Sequence, residues 1–158
     1  MKTSIALTVI AATSFCTLAS ANEVKITMDK VPAKAAEALK REAGSNEIKE
    51  ISRETEDGKT IFEAKFETKA GTREVSVDDS GKLVADEQVV PLSATPKAVQ
   101  QAITEKSAGG KVEKVERVKE KGKTTYEALI AVKGKRTEIV FSESGKVLET
   151  EEKNRKED

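Results

Sequence analysis

The chain has 158 residues, of which 28 are lysine or arginine and 28 are aspartate or glutamate. This balanced charge argues against a dedicated nucleic-acid-binding protein, which needs a one-sided basic surface. The sequence contains no histidine, so the most common general base and metal ligand is absent.

The first 21 residues have the pattern of a cleaved secretory signal peptide. Lys2 precedes a short apolar run at residues 5–15, and small residues at 19–21 form a cleavage site. The run is shorter than the roughly 20 residues that a membrane-spanning helix needs. Cys16 is disfavoured as a lipid acceptor, because "TSF" before it lacks the small residues of such a site. We expect a periplasmic or secreted protein without stable membrane insertion or a disulfide bond.

An internal duplication spans the rest of the chain at a constant offset of 64 residues. Pro32 corresponds to Pro96, and "GKTIFEAKF" from residue 58 corresponds to "GKTTYEALI" from residue 122, without any gap. The predicted domains are a first repeat at residues 24–88, a linker at 89–95, a second repeat at 96–150 and a charged tail at 151–158.

Each repeat begins with a predicted helix that a proline precedes and glycine ends, at Gly44 or at residues 109–110. Its apolar stripe comprises Ala35, Ala38 and Leu39 in the first repeat and Val99, Ala102 and Ile103 in the second. Three or four strands separated by turn residues follow. The sequence predicts an α+β fold of two tandem repeats, each one helix followed by its own three- to four-stranded antiparallel sheet.

Alternation predicts the register of the central hairpin in each repeat. In the first, Phe62 should lie opposite Val77 and Ala64 opposite Val75. The equivalent pairs in the second are Tyr126 with Phe141 and Ala128 with Ile139. The first strand is less regular, because its apolar residues, such as Ile48 and Ile51, are three apart. We still predict a strand there, since glycine ends the helix before it and a turn follows.

The two copies differ most on the other face of these strands. Polar residues of the first repeat are replaced by apolar ones in the second, as Lys65 is by Leu129. The candidate partner-binding face comprises Val118, Thr125, Leu129, Ala131, Val140 and Ile61. Three interpretations remain open: packing against the first repeat or the linker, docking of a partner, or an ordinary exposed patch.

No pattern in the sequence predicts catalysis, a metal site or a cofactor. Adjacent acids such as Asp78 and Asp79 point to opposite faces of a strand, and "DDSGKL" offers too few ligands for a calcium loop. We expect Asp78 and Ser80 to cap their turn. No histidine exists to activate a serine, and the Gly-Lys pairs lack the other glycine of a phosphate loop. The chain is therefore predicted not to be an enzyme.

The order of these features resembles the PepSY and PepSY-like domains. It consists of a helix, a glycine, Ile48 and Ile51, the turn at residues 57–59, the strand at 62–64 and "VSVDDSGKL" at 75–83, and the second repeat keeps this order. The resemblance implies a helix packed on an antiparallel sheet in exported bacterial proteins. Relatives include inhibitory propeptides of secreted metallopeptidases, and the tandem beta-lactamase inhibitory protein is similar in architecture.

These observations predict an exported, monomeric, non-enzymatic protein that binds another protein through a sheet face. The leading hypothesis is a modulator or inhibitor of an envelope or secreted hydrolase. The alternatives are a structural or stress-related envelope protein without an enzyme target and, more remotely, cation or ligand binding by the acidic loops.

Overall fold

The structure is a computed structural model that describes residues 23–56 and 58–153. The predicted signal peptide at residues 1–21, Cys16 within it and most of the predicted tail lie outside the described residues. Within the described part of the chain, no helix is long and apolar enough to cross a membrane.

The described chain forms two α-helices and nine β-strands. The first repeat contains β1 (Val24–Lys25), α1 (Ala33–Ala43), β2 (Ile48–Glu56), β3 (Lys59–Thr68), β4 (Gly71–Asp78) and β5 (Leu83–Val89). The second contains α2 (Lys97–Ser107), β6 (Lys111–Glu120), β7 (Lys123–Val132), β8 (Lys135–Ser142) and β9 (Val147–Lys153). Short 3₁₀ turns, Met28–Lys30 and Leu92–Ala94, precede the helices.

All nine strands form one antiparallel sheet in which the strands follow their sequence order from β1 to β9. The predicted fold class, with a separate small sheet and helix in each repeat, was wrong. β5 of the first repeat pairs with β6 of the second along five residue pairs, from Ala85 opposite Glu120 to Val89 opposite Glu116. Joining the two sheets removes two unpaired edges, whose exposed backbone groups would otherwise invite association.

Both helices pack on the same face of this sheet, here called the inner face. Each covers the strands of its own repeat, and each repeat has a separate hydrophobic core. The first core is built around Leu39, Phe62 and Phe66, and the second around Ile103 and Phe141. As predicted, α1 ends at Gly44, and both helices follow a proline.

The predicted hairpin registers are confirmed in both repeats. Phe62 lies opposite Val77, and Tyr126 lies opposite Phe141. The Ala64–Val75 and Ala128–Ile139 pairs are also formed. Local alternation fixed these registers, because a shift of one residue would move every apolar side chain to the opposite face.

A β-bulge explains the three-residue spacing in the first strand of each repeat. The register shifts between Ile48 and Glu50 in β2 and between Val112 and Lys114 in β6. Each bulge inserts one extra residue, so that Ile48 and Ile51 both contribute to the first core. The prediction of a strand at this position is confirmed.

Candidate functional site

The sheet face opposite the helices, here called the outer face, is the candidate site. Its side chains alternate with the core residues along each strand, so Glu63 lies between Phe62 and Ala64, and Glu127 between Tyr126 and Ala128. In the described part of the chain, both helices pack against the inner face.

The residues of the predicted partner-binding face fall into two places. Five of them form one continuous area on β6, β7 and β8, in which Val118 lies opposite Thr125, and Val140 is on β8 opposite Glu127. Leu129 and Ala131 extend this area along β7. Ile61 lies apart from it on β3. That this area binds a partner stays a prediction.

Burial differs sharply among these six residues. Val118, Ile61 and Val140 expose only 1%, 3% and 5% of their surface. Thr125, Leu129 and Ala131 are half-buried. The part accessible to a partner is therefore centred on β7 rather than on the three deepest apolar residues.

The linker does not cover this area in the described structure. Val90 and Leu92 of the linker pack instead against the second core, which lies on the inner face. The first repeat lies beside the second in the same sheet rather than over it. Val118 itself lies opposite Glu87 of the first repeat, and the three interpretations of this area stay predictions.

Ile61 lines a groove of about 600 Å³ at one end of the sheet. Leu83 and Val84 of β5 form further apolar lining, and the turn between β6 and β7 closes the opposite side. Five lysines surround this groove: Lys59, Lys82, Lys119, Lys121 and Lys123.

A row of glutamates crosses the middle of the outer face. Glu74, Glu116 and Glu138 are each paired with a lysine, at 2.5 Å to Lys65, 2.7 Å to Lys114 and 3.2 Å to Lys153, respectively. Glu63, Glu87 and Glu127 form no ion pair within the described residues. Glu63 accepts one long hydrogen bond of 3.3 Å from the hydroxyl of Ser76.

The three glutamates without an ion pair have strongly raised pKa values. Burial is the main cause in each case, because it disfavours the charged form, and neighbouring carboxylates add to it. The pKa of Glu63 rises to about 8, and the charges of Glu74, Glu87 and Glu23 contribute to this rise after burial. The pKa values of Glu87 and Glu127 rise to about 7. A substantial fraction of these carboxyl groups is therefore protonated near neutral pH.

Glu127 is the most deeply placed of these groups. It exposes only 4% of its surface, and its Oε1 atom is buried without a hydrogen-bond partner. Glu116 lies directly opposite on β6. A buried polar atom without a partner usually costs about 1–3 kcal/mol.

The sequence alone did not identify these glutamates as functional candidates. Glu63 and Glu127 are equivalent in the duplication, and so are Glu74 and Glu138, but identity between the copies does not distinguish a functional acid from a structural one. The sequence did contain one indication of their importance: both copies keep an acid at the centre of the outer face. Its burial depends on how neighbouring side chains pack, which alternation does not reveal.

The acidic turns have a structural role. Asp78 Oδ1 accepts hydrogen bonds from the backbone amides of Ser80 and Lys82 and from the Ser80 hydroxyl. This confirms the predicted capping of the turn, and it lowers the pKa of Asp78. Among the described residues, no group of three or more acids or cysteines could hold a metal ion.

Comparison with known protein families identifies the duplication. A family model with the description "Putative beta-lactamase-inhibitor-like, PepSY-like" matches residues 17–85 and again residues 82–149. The chain belongs to this PepSY-like family. The two matches cover both repeats, and they confirm the resemblance inferred from the sequence. No curated protein matches the chain.

Several solved structures share the PepSY-like fold of this chain. A DUF2874 family protein from Bacteroides ovatus is 18% identical, with a TM-score of 0.63 over 78% of this chain and 89% of that one. A BLIP-like protein from Bacteroides fragilis is 20% identical, with a TM-score of 0.61 over 80% and 90%. A protein from Bacteroides eggerthii, provisionally described as periplasmic, is 18% identical, with a TM-score of 0.64 over 77% and 88%.

Proposed function

We propose that this PepSY-like protein is a non-enzymatic binding protein of the periplasm or the extracellular space. It modulates or inhibits a hydrolase by docking that enzyme on its outer face, and it acts as a monomer. The observation that carries the proposal is a sheet face on which neither helix of the described chain packs and which carries half-buried apolar side chains, above all Leu129.

The chemistry of this face supports binding rather than catalysis. Apolar groups give non-directional attraction, while fixed charges beside them select among partners. The family description and the BLIP-like relative favour a hydrolase as the partner. The signal-peptide pattern and the provisionally periplasmic relative favour an exported location.

Binding and inhibition assays with purified hydrolases test the proposal. The panel contains serine beta-lactamases, zinc beta-lactamases and secreted metallopeptidases, and it records both complex formation and the rate of hydrolysis. We expect at least one enzyme to be bound and slowed.

Two variants locate the docking surface. Leu129→Lys replaces an apolar side chain with a charged one opposite Glu138 and should weaken the complex at least about tenfold, because the apolar contact with the partner is lost. Gln101→Lys adds the same charge on the exposed side of α2 and should leave binding unchanged. Equal binding by both variants would show that the outer face is not the docking surface.

A further inference from the structure

We propose that the partner segment on the outer face is basic, with a lysine or arginine side chain that binds Glu87 on β5 and Glu127 on β7. This inference rests on the proposed function, since it assigns the chemistry of the segment that docks there. It concerns the middle of strands β4–β7, where the two repeats meet.

The charge of this area is the first argument. Glu74, Glu87, Glu116 and Glu127 lie in the middle of four neighbouring strands. Lys114 is the basic residue that these strands place among them, and it is already paired with Glu116. A partner with complementary charge would be attracted to this area, and an acidic one would be repelled.

The second argument is the unsatisfied carboxylate of Glu127. Its Oε1 atom is buried and lacks a donor among the described residues, although the neighbouring glutamates Glu74, Glu116 and Glu138 each have a lysine. An ammonium or guanidinium group supplies such a donor together with a charge, once the side chains that cover this oxygen move aside. A metal ion fits less well, because no described group of three acidic or sulfur ligands converges here.

The surrounding charges explain why neither Glu87 nor Glu127 has a lysine or arginine partner within the described chain. The charged groups that act on Glu87 are Glu63 on β3, Glu74 on β4, Glu116 and Lys114 on β6, and Glu127 on β7. Glu116 on β6 and Glu138 on β8 raise the pKa of Glu127, whereas the charges of Lys114 and Lys153 lower it. Both lysines are held by other glutamates.

Because Glu87 and Glu127 are both titratable, binding of the basic segment should depend on pH. Burial and the facing acids raise the pKa values of Glu87 and Glu127 to about 7, and an incoming cation would favour their charged forms. Binding of a basic segment should therefore release protons and become tighter as the pH rises from 6 to 8.

The test uses a fluorescent peptide of alternating lysine and valine as the basic probe and one of alternating glutamate and valine as the acidic probe. Fluorescence anisotropy measures the affinity of each probe for the chain without its predicted signal peptide. Changes in the NMR chemical shifts of backbone amides locate the contact. We expect the basic probe alone to bind, with shifts centred on β5–β7 and tighter binding at pH 8 than at pH 6.

Matched variants separate a specific site from general attraction. Glu87→Gln with Glu127→Gln should weaken binding of the basic probe by about tenfold or more, since both charge-assisted hydrogen bonds lose their negative charge. Glu37→Gln with Glu105→Gln removes two exposed acids from the helices and changes the net charge equally, so it should leave the affinity unchanged. Thermal unfolding verifies that each variant is folded.

The inference is overturned if both double variants bind the basic probe equally, or if the shifts map to the helices. A second comparison tests the basic segment separately from the proposed function. It measures how Leu129→Lys and the double variant Glu87→Gln with Glu127→Gln bind a hydrolase that the wild-type protein binds. If Leu129→Lys weakens that complex while Glu87→Gln with Glu127→Gln does not, the docking face stands and the basic segment is wrong. If neither affects the complex, the docking face is wrong as well.

Discussion

Glu127 combines two properties that rarely occur together in a small protein, an ionisable side chain and nearly complete burial. Its raised pKa means that the folded chain holds a proton that the unfolded chain releases at lower pH. The carboxyl group therefore favours folding fully below its unfolded pKa of about 4.5, and this contribution is lost as the pH rises through about 7.

Replacing Glu127 with glutamine should stabilise the protein in a pH-dependent manner. At pH 8 we expect the free energy of unfolding to rise by up to about 3 kcal/mol, since each pKa unit corresponds to about 1.36 kcal/mol. At pH 5 the gain should be small. Urea unfolding at both pH values measures the difference, and Glu105→Gln on the exposed side of α2 is the control. An equal gain at both pH values would contradict the assignment of the raised pKa.

At the level of elements, the turns after β4 and β8 hold α1 and α2, respectively, close to the sheet. A Cβ atom added to Gly81 would lie 2.5 Å from the carbonyl oxygen of Lys34 in α1, and one added to Gly145 would lie 2.5 Å from that of Ala98 in α2. Both glycines have a φ near +80°. These turns therefore need glycine for its backbone conformation and for the close approach of the helix.

Gly145→Ala should be clearly destabilising because both requirements are violated. We expect a loss of more than about 2 kcal/mol in the free energy of unfolding. Gly122→Ala is the matched control: its φ is 75°, but nothing lies within 4 Å of the added atom, so about 1 kcal/mol should be lost. Chemical denaturation of the two variants gives the comparison, and equal losses would rule out a steric contribution.

Some strand pairings could be predicted from the sequence, and others could not. The pairing of Phe62 with Val77 was predictable, because alternation and a short turn determine a hairpin locally. The pairing of β5 with β6 was not, since no local pattern distinguishes an edge strand from one that accepts a neighbour. On the outer face, comparison of the copies identified Leu129, but the burial of Glu127 depends on packing among side chains from several strands.

For the whole molecule, the contact between the repeats depends on a charged network as well as on the strand pairing. Asp86 on β5 accepts a hydrogen bond of 2.7 Å from Arg73 of β4, and Arg117 of β6 lies 3.9 Å from its other oxygen. Arg73 also binds the side chain of Glu42 at 3.1 Å. The network therefore connects α1, β4, β5 and the first strand of the second repeat.

Asp86→Ala should destabilise the protein by about 3 kcal/mol, because it leaves two partly buried arginines without their shared carboxylate. Asp79→Ala removes an exposed acid seven residues earlier and should change the stability by less than about 0.5 kcal/mol. Thermal unfolding compares the two, and similar melting temperatures would show that the network does not stabilise the junction.

The continuous sheet should also make the two repeats unfold together. Tyr126 is the single tyrosine of a chain without tryptophan, so its fluorescence reports on the second repeat, whereas far-ultraviolet circular dichroism reports on both. We expect the two signals to give coincident unfolding curves, as in a two-state transition. Separate midpoints would mean that the repeats unfold independently despite the β5–β6 pairing.

The sequential strand order has an evolutionary consequence. β9 occupies the same position in the second repeat that β5 occupies in the first, 64 residues earlier, and β5 is the strand that accepted the next copy. A third copy could therefore be appended by the same pairing, without rebuilding either core. The terminal strand differs where such growth would begin: Ala85, Gln88 and Val89 of β5 correspond to Glu149, Glu152 and Lys153 of β9. Charges along an edge strand discourage further pairing, so equivalent strands join the two repeats at β5 and form an edge of the described sheet at β9.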